Sequence, residues 1–303
     1  MVKRPAAPTA VVLGAAAGGG FPQWNCGCRL CTLVRQGDKR VRPATQVSVA
    51  VTGDGEGWVV VGASPDLRQQ ILQTPYLWPR NAGRDSPITG VVLTNADIDA
   101  IAGLLVLRER QPFTVYAPRP ILNVLAENDV FGVLDPTLVR RVEIQPLEPI
   151  ACGSLRLTLL PMPGKTPLYR ETAGATEPEA GPTYAAMMQA QGRTVIVAAA
   201  CADITDAVLA QLHQADVLFF DGTLFSDDEM IAAGLGTKTG FRMGHVPVGG
   251  PNGTLARLAD LPARRILLHI NNTNPILLSD SPERRQVEAA GFEVAFDGME
   301  VRL

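Results

Sequence analysis

The order of strand-like and helix-like segments is the feature that most constrains the fold of this 303-residue chain. Short apolar runs, which are typical of buried strands, alternate with segments that have helical apolar spacing. The strand-like runs are 10–13, 47–51, 58–62, 91–94, 194–200, 217–220 and 265–270, with two more near Phe292 and Val301. The helical segments are 67–73, 98–108, 203–214 and 282–289. This mixed order predicts a single layered α/β domain over residues 1–303, with sheets inside and helices outside.

Two local patterns refine this order. Ser64, Pro65 and Asp66 have the chemistry of a helix start, and Ser64 is the predicted N-cap of the helix at 67–73. Residues 164–182, by contrast, are rich in Gly, Pro, Thr and acids and show little periodicity. Because strands resume on both sides of that segment, we expect a long surface loop there rather than a domain linker.

Three of the five cysteines fall within six residues, at Cys26, Cys28 and Cys31. Thiolates packed this closely repel each other unless a soft cation draws them together, so the spacing predicts a structural Zn²⁺ site. Three sulfurs leave one tetrahedral position for a ligand from elsewhere in the chain. The alternatives are three unrelated buried thiols or a disulfide, and such close spacing would strain a disulfide.

Charge and hydropathy argue against two classes of partner. The net charge of −3 lacks the basic excess that phosphate binding requires, so we expect no nucleic-acid partner. No apolar run approaches the roughly 18 to 20 residues of a membrane span, so we expect no membrane partner. The first residues form a poor signal peptide, and the clustered thiols fit a reducing compartment, which predicts a cytoplasmic location.

Polar side chains gather where predicted strands end, which is where chemistry collects in layered α/β folds. The acids at such positions are Asp97, Asp99 and Asp221, and the histidines are His245 and His269. The remaining histidine, His213, lies in a helical stretch and is expected at the surface. Each residue alone has an ordinary structural explanation, such as a helix cap for Asp99 or a hydrogen-bonded core imidazole for His269. Together they favour a metal site.

Several longer segments resemble the PqqB family, coenzyme PQQ synthesis protein B. The resembling segments are 18–26, 64–66, 221–223, 243–245, 269–275, 281–284 and 294–299. The resemblance runs over nearly the full length of the chain. It implies an α/β metallo-β-lactamase fold, a four-layer αβ/βα sandwich of two mixed sheets with the active site along one edge.

The resemblance also implies which residues hold the active-site metal. The superfamily signature H-x-H-x-D-H falls on residues 95–100, where only Asp99 is retained and where Asn95, Asp97 and Ala100 replace the histidines. A two-zinc hydrolytic site needs about five or six good ligands, which this chain cannot supply in the usual way. The residual set resembles the 2-His-1-carboxylate arrangement of Fe²⁺ oxygenases. The predicted iron ligands are Asp97, Asp99, Asp221, His245 and His269, with Asn95 and Asp97 also possible as neighbours of the first coordination sphere.

The fourth zinc ligand remains open at this point. Related phosphodiesterases of the superfamily complete the same cysteine pattern with a histidine three residues after the last active-site histidine. That position is Asn272 here. The candidates are therefore Asn272, water or His269, and use of His269 would remove a ligand from the iron site.

The family resemblance implies a role in pyrroloquinoline quinone (PQQ) biosynthesis. The implied reaction is iron-dependent hydroxylation of the tyrosine ring in a Glu–Tyr dipeptide derived from the precursor peptide, with other PQQ biosynthesis proteins as potential partners. Cations would anchor the substrate carboxylates, and the candidates are Arg68, Lys238 and Arg242. Two alternatives are a metal-dependent hydrolase and a non-catalytic carrier that aids PQQ transport.

Overall fold

The computed structural model describes residues 4–5, 8–173 and 179–303, and its strands form two sheets. The strands are β1 Thr9–Gly14, β2 Ser48–Thr52, β3 Trp58–Val61, β4 Ile88–Val92, β5 Phe113–Ala117, β6 Val139–Glu143, β7 Ile150–Cys152, β8 Leu155–Met162, β9 Thr183–Ala190, β10 Arg193–Ala198, β11 Val217–Asp221, β12 Arg264–Leu268, β13 Phe292–Val294 and β14 Glu300–Arg302. One sheet has the order β14-β1-β2-β3-β4-β5-β6, and the other has the order β13-β12-β11-β10-β9-β8-β7. Both sheets are mixed, since each contains parallel and antiparallel pairs.

Helices cover the outer faces of the two sheets. The α-helices are α1 Arg29–Arg35, α2 Leu67–Gln73, α3 Ile98–Ile101, α4 Arg119–Ala126, α5 Asp206–Leu212, α6 Glu229–Ala232, α7 Gly240–Met243, α8 Thr254–Arg257 and α9 Pro282–Ala289. Short 3₁₀ helices lie at Pro75–Leu77, Ala102–Arg108, Asp129–Val133, Leu168–Arg170 and Pro275–Leu277. The helices α2 and α4 pack on the first sheet, and α5 and α9 pack on the second. The predicted four-layer αβ/βα sandwich is therefore confirmed.

Strand β2 shows why the predicted strands are continuously apolar in sequence. Successive side chains of a strand point to opposite faces, so Val49 and Val51 enter the core between the sheets while Ala50 faces the outer helices. All three are fully buried. A strand covered on both faces has no solvent side, which explains the absence of polar alternation.

The helical predictions were confirmed at 67–73 and 282–289, whereas the helix predicted at 98–108 was wrong in part. Only Ile98–Ile101 is α-helical, and Ala102–Arg108 continues as a 3₁₀ helix. Gly103 donates its N–H to the carbonyl of Ala63, and an added Cβ there would lie 2.1 Å from the Ser64 carbonyl oxygen. This close packing against the segment after β3 replaces regular α-helical bonding.

Two further local predictions were wrong in part. Ser64 is not the N-cap of α2, because Asp66 occupies that position and the Ser64 hydroxyl instead bonds the Gln70 side chain. The helix predicted at 203–214 is shorter, and Thr205 caps it by accepting a hydrogen bond from the N–H of Val208.

The segment 164–182 does connect two strands, β8 and β9, as predicted. It contains one 3₁₀ turn, and Lys165 forms an isolated bridge with Ala180. Residues 174–178 of the predicted loop lie outside the described residues. None of the described helices has the length and apolar character needed to cross a membrane.

The carboxyl ends of β4, β11 and β12 meet at one edge of the sandwich. Two contacts bring the sheets together there: Ala16 bridges both Gln46 and Ile270, and the Tyr184 N–H bonds the Thr94 carbonyl at 2.9 Å. The polar side chains that follow these three strands therefore share one region.

Candidate metal centres

The ends of three strands and one short helix deliver the side chains of the candidate active site. Asp97 and Asp99 lie at the start of α3 after β4, Asp221 ends β11, and His269 follows β12. Helix α7 stops at Gly244, whose φ of +85° lies in the left-handed region that favours glycine, and His245 comes next. One donor atom each from Asp221, His245 and His269 lies within 4.8 Å of the others.

Asp221 is a fully buried carboxylate with both oxygens occupied. Its Oδ2 lies 2.7 Å from His245 Nδ1 and accepts the Cys201 N–H at 2.9 Å. Its Oδ1 accepts the Thr223 N–H at 3.0 Å and the Thr223 hydroxyl at 2.6 Å. Burial alone would raise the pKa of Asp221, but His245, His269 and the Thr223 hydroxyl together outweigh it and the pKa is lowered.

This arrangement fixes the orientation of His245. With Nδ1 held by Asp221 and Thr223, Nε2 has no hydrogen-bond partner among the described residues. A carboxylate behind an imidazole is the usual support of a metal-bound histidine. The structure thus places Asp221 behind His245, a position suited to orienting the ring.

Thr223 also links this pair to His269. Because its hydroxyl donates to Asp221, Thr223 Oγ1 can accept from Nδ1 of His269 at 2.7 Å. The opposite ring nitrogen, Nε2, lies 3.1 Å from Asp99 Oδ2. Burial is the largest influence on His269 and disfavours its charged form, but the hydrogen bond to Asp99 and the negative charges of the nearby aspartates together outweigh burial and raise the pKa of His269. Burial likewise acts to raise the pKa of Asp99, but the hydrogen bond and charge of His269, with smaller contributions from other groups, lower it overall.

The spacing between His269 and Asp99 is also that of two neighbouring ligands on one ion. Ligand atoms each about 2.1 Å from a metal at a right angle lie about 3.0 Å apart. The rings of His245 and His269 are stacked, with centroids 5.0 Å apart. His269 has a φ of +59°, a left-handed backbone that is uncommon outside glycine. The donor set therefore fits a metal ion of the kind that binds imidazole and carboxylate.

These groups open into a pocket of about 240 Å³. Asn95, Asp97, Asp99, His245 and His269 line it. Burial raises the pKa of Asp97, and the nearby positive charge of Lys165 only partly opposes that effect. Further lining comes mostly from apolar side chains, namely Ala17, Val47, Leu168, Ala199, Ala200, Met230 and Met243.

The three clustered cysteines form a second site. Their sulfurs lie within 4.8 Å of one another, and Cys28 caps the start of α1 by accepting the N–H of Cys31. Arg35 from the same helix donates to the carbonyl of Cys26 and so closes the loop. Burial raises the pKa of Cys31 to about 11, so a bound cation is what would hold this group as a thiolate.

Asn272 covers the sulfur triangle. Its side-chain amide lies 3.2, 3.7 and 3.4 Å from the sulfurs of Cys26, Cys28 and Cys31. Asn272 is 4% exposed, and the described contacts of its side-chain nitrogen Nδ2 are all with these three sulfurs. His269, by contrast, is engaged with Thr223 and Asp99. Among the three candidates for the fourth zinc ligand, Asn272 lies against the sulfurs, where Nδ2 donates to them and only Oδ1 could bind a metal, whereas the described contacts of His269 are with the other site.

The three cations predicted to anchor substrate do not line the described pocket. Arg68 borders a separate cleft beside Ile71 and Leu72. Arg242 forms a two-bond ion pair with Glu171, with both N–O distances at 2.9 Å, and this pairing holds the pKa of Glu171 below its usual range. Lys238 lies near enough to add to that effect. Arg68 thus lies away from this pocket, and the assignment of the substrate anchors stays a prediction.

Two residues of the site were missed. Thr223 stood within a resembling segment, but nothing in the sequence showed that its hydroxyl meets both histidines. Lys165 lies in the segment without periodicity, and its ammonium is 3.8 Å from Asp97. A lone lysine in such a segment carries no spacing signal, so only the fold could have found it.

Comparisons with known proteins show the family of this chain. A model of the beta-lactamase superfamily domain matches residues 57–270. The chain is 51% identical to coenzyme PQQ synthesis protein B of Methylobacterium nodulans, covering 97% of this chain and 99% of that protein. It is 52% identical to the protein of the same name from Rhizobium meliloti, covering 97% of each.

Solved structures show the same family and fold. The crystal structure of Zn²⁺-bound PqqB from Methylobacterium extorquens superposes with a TM-score of 0.94 at 48% identity, covering 97% of this chain and 100% of that one. A diphosphatase of the PhnP family superposes with a TM-score of 0.70 at 20% identity, covering 97% and 96% of the two chains, which shows a shared fold alone. The chain belongs to the beta-lactamase superfamily and, within it, to the coenzyme PQQ synthesis protein B family.

Proposed function

We propose that this chain acts in PQQ biosynthesis as an Fe²⁺-dependent hydroxylase of the tyrosine ring in a Glu–Tyr dipeptide. The names of its relatives support the pathway. The observation that supports the chemistry is the pairing of two oriented histidines with Asp99 at one pocket wall. Imidazole and carboxylate together form the donor set of mononuclear Fe²⁺ oxygenases.

The residues divide between two metals in this proposal. His245, His269 and Asp99 would hold the iron, with Asp221 orienting His245 and with Asp97 and Asn95 adjacent. The cysteine triad with Asn272 would hold zinc, whose soft thiolate preference suits it to that position. When bound, iron would supply the activation of O₂, and the insertion of each oxygen atom into the ring would also consume two electrons and two protons from an external reductant and release water.

The chain's own side chains would prepare the site. Thr223 fixes the ring planes of both histidines, since its single hydroxyl contacts Nδ1 of each. Apolar side chains such as Val47, Met230 and Met243 would exclude water from the bound ring. A hydrolase is the weaker alternative, because residues 95–100 retain only Asp99 of the superfamily signature H-x-H-x-D-H, so the usual two-zinc hydrolytic site lacks its ligands.

The test is anaerobic loading with Fe²⁺, followed by metal analysis and by mass spectrometry of Glu–Tyr after exposure to O₂ in the presence of an excess of a small-molecule reductant. The proposal expects iron bound to the protein and a product heavier by the mass of one or two oxygen atoms. An Asp99→Ala variant should lose both iron and product. The matched control is Asp206→Ala, because the Asp206 side chain is 97% exposed and lies on α5.

Two results would contradict the proposal. An iron-loaded protein that leaves the dipeptide unchanged would shift support to the carrier alternative. Cleavage of the dipeptide without oxygen gain, retained when iron is replaced by zinc, would support the hydrolase.

A further inference from the structure

Lys165 is the one lysine or arginine among the described residues that line the active-site pocket. Its side chain is only 10% exposed, which is unusual for a residue that ordinarily lies in solvent. The rest of the charged lining consists of Asp97 and Asp99 together with the two histidines. A pocket with this balance would repel an anionic substrate unless a cation received it.

The contacts of the ammonium leave it able to take another partner. Its Nζ donates to the Thr166 carbonyl at 3.3 Å. It lies 3.8 Å from Asp97 Oδ1, which is an attractive separation for the charges but longer than a hydrogen bond. An ammonium has three donors, and the described contacts account for one.

The stem of Lys165 is held in place rather than solvated. An added Cβ on Gly244 would lie 3.0 Å from Lys165 Cγ, so the methylene chain packs directly on the backbone next to His245. The bridge to Ala180 fixes the backbone of Lys165 from the other side. The charge is therefore presented at a fixed position in the same pocket as the metal ligands.

We propose that Lys165 binds a carboxylate of the substrate and thereby selects acidic substrates at this site. This inference rests on the proposed function, because it assumes that the pocket receives a substrate beside the metal. It also explains why Arg242, already paired with Glu171, need not serve that purpose.

The test is equilibrium binding, without added iron and without O₂, to the zinc-containing protein. The probes are Glu–Tyr, its C-terminal amide, Gln–Tyr and 3-(4-hydroxyphenyl)propionate with its amide. Lys165→Met should weaken binding of the carboxylates by about tenfold or more, the usual effect of losing a charge-assisted hydrogen bond. Lys165→Arg should restore part of the affinity, and Lys39→Met is the matched control because Lys39 lies in a different cleft.

The amides identify the carboxylate that is recognised. The probe in which that carboxylate is replaced by an amide should bind the wild type weakly. Its affinity for Lys165→Met should equal its affinity for the wild type. Equal affinity of the wild type and Lys165→Met for every carboxylate would overturn the inference, as would failure of the wild type to bind any of them.

Metal analysis separates recognition from a structural role. Lys165→Met should keep its iron content on loading, because the inference assigns the ammonium to substrate. Loss of iron with unchanged carboxylate binding would show instead that Lys165 positions Asp97. Failure of the proposed function gives a different pattern, in which Lys165-dependent binding persists but the bound dipeptide gains no oxygen.

Discussion

Replacing Glu229 with glutamine should flatten the pH dependence of the stability of this protein. Glu229 begins α6 and is 9% exposed. Its Oε2 accepts the Phe225 N–H at 2.7 Å, and its Oε1 accepts the Thr273 hydroxyl. No ion pair reaches it among the described residues, so burial dominates and raises the pKa of Glu229 from 4.5 to about 7.

The magnitude follows from linkage between protonation and folding. Since the folded state binds the proton more tightly than the unfolded state, stability is greatest below pH 4.5 and falls as the pH rises through about 7. At 1.36 kcal/mol for each pKa unit, the full effect is about 3 kcal/mol. About 2.5 kcal/mol of it falls between pH 5 and pH 8.

The assay is urea unfolding of the zinc-containing wild type and of Glu229→Gln at both pH values. Between pH 5 and pH 8 the free energy of unfolding of the wild type should fall by about 2.5 kcal/mol more than that of the variant, because glutamine does not titrate. Taking this difference of differences cancels the contribution of other groups, including His269. The exposed Glu148→Gln variant is the control and should behave like the wild type. Equal pH dependence in wild type and Glu229→Gln would refute the reasoning.

Three further substitutions test the two metal sites. Cys31→Ser should remove zinc and lower the melting temperature, because the binding energy of a structural site is folding energy; unchanged zinc content would exclude the cysteine site. His269→Ala should lose iron and keep zinc, and loss of both metals on metal analysis would place His269 at the zinc instead. Thr223→Val removes a buried hydroxyl shared by Asp221 and both histidines, so unfolding free energy should fall by about 1–3 kcal/mol. Iron affinity of that variant should fall about 10- to 100-fold in a competition titration, and an unchanged affinity would contradict the orienting role.

Local signals in the sequence were enough where neighbours in the chain decide the structure. Helix α9 was predicted near its observed ends, and the structure shows the local reason, since Ser281 caps it and Pro282 occupies its first position. The cysteine spacing likewise brings three sulfurs together with little help from the rest of the fold.

Distant contacts decided what the sequence alone could not show. The helix after Ile98 changes to 3₁₀ geometry because Gly103 packs against Ser64, nearly forty positions earlier in the chain. Arg242 forms its ion pair with Glu171, which lies 71 residues away in the chain. The order of the sheets and the role of Asp221 behind His245 are of the same kind, since each depends on which loops meet.

The left-handed backbone at His269 bears on how this chain could change over evolutionary time. A residue other than glycine at such a φ costs about 1 kcal/mol. Backbone strain alone would favour glycine or asparagine at position 269, whereas the hydrogen bonds of the imidazole to Thr223 and Asp99, and the metal in the proposed function, favour histidine. A library of substitutions at this position, sorted once for folding and once for activity, should rank in opposite orders. If the proposed function holds, position 269 is thus a marker of whether a descendant of this chain keeps the same metal chemistry.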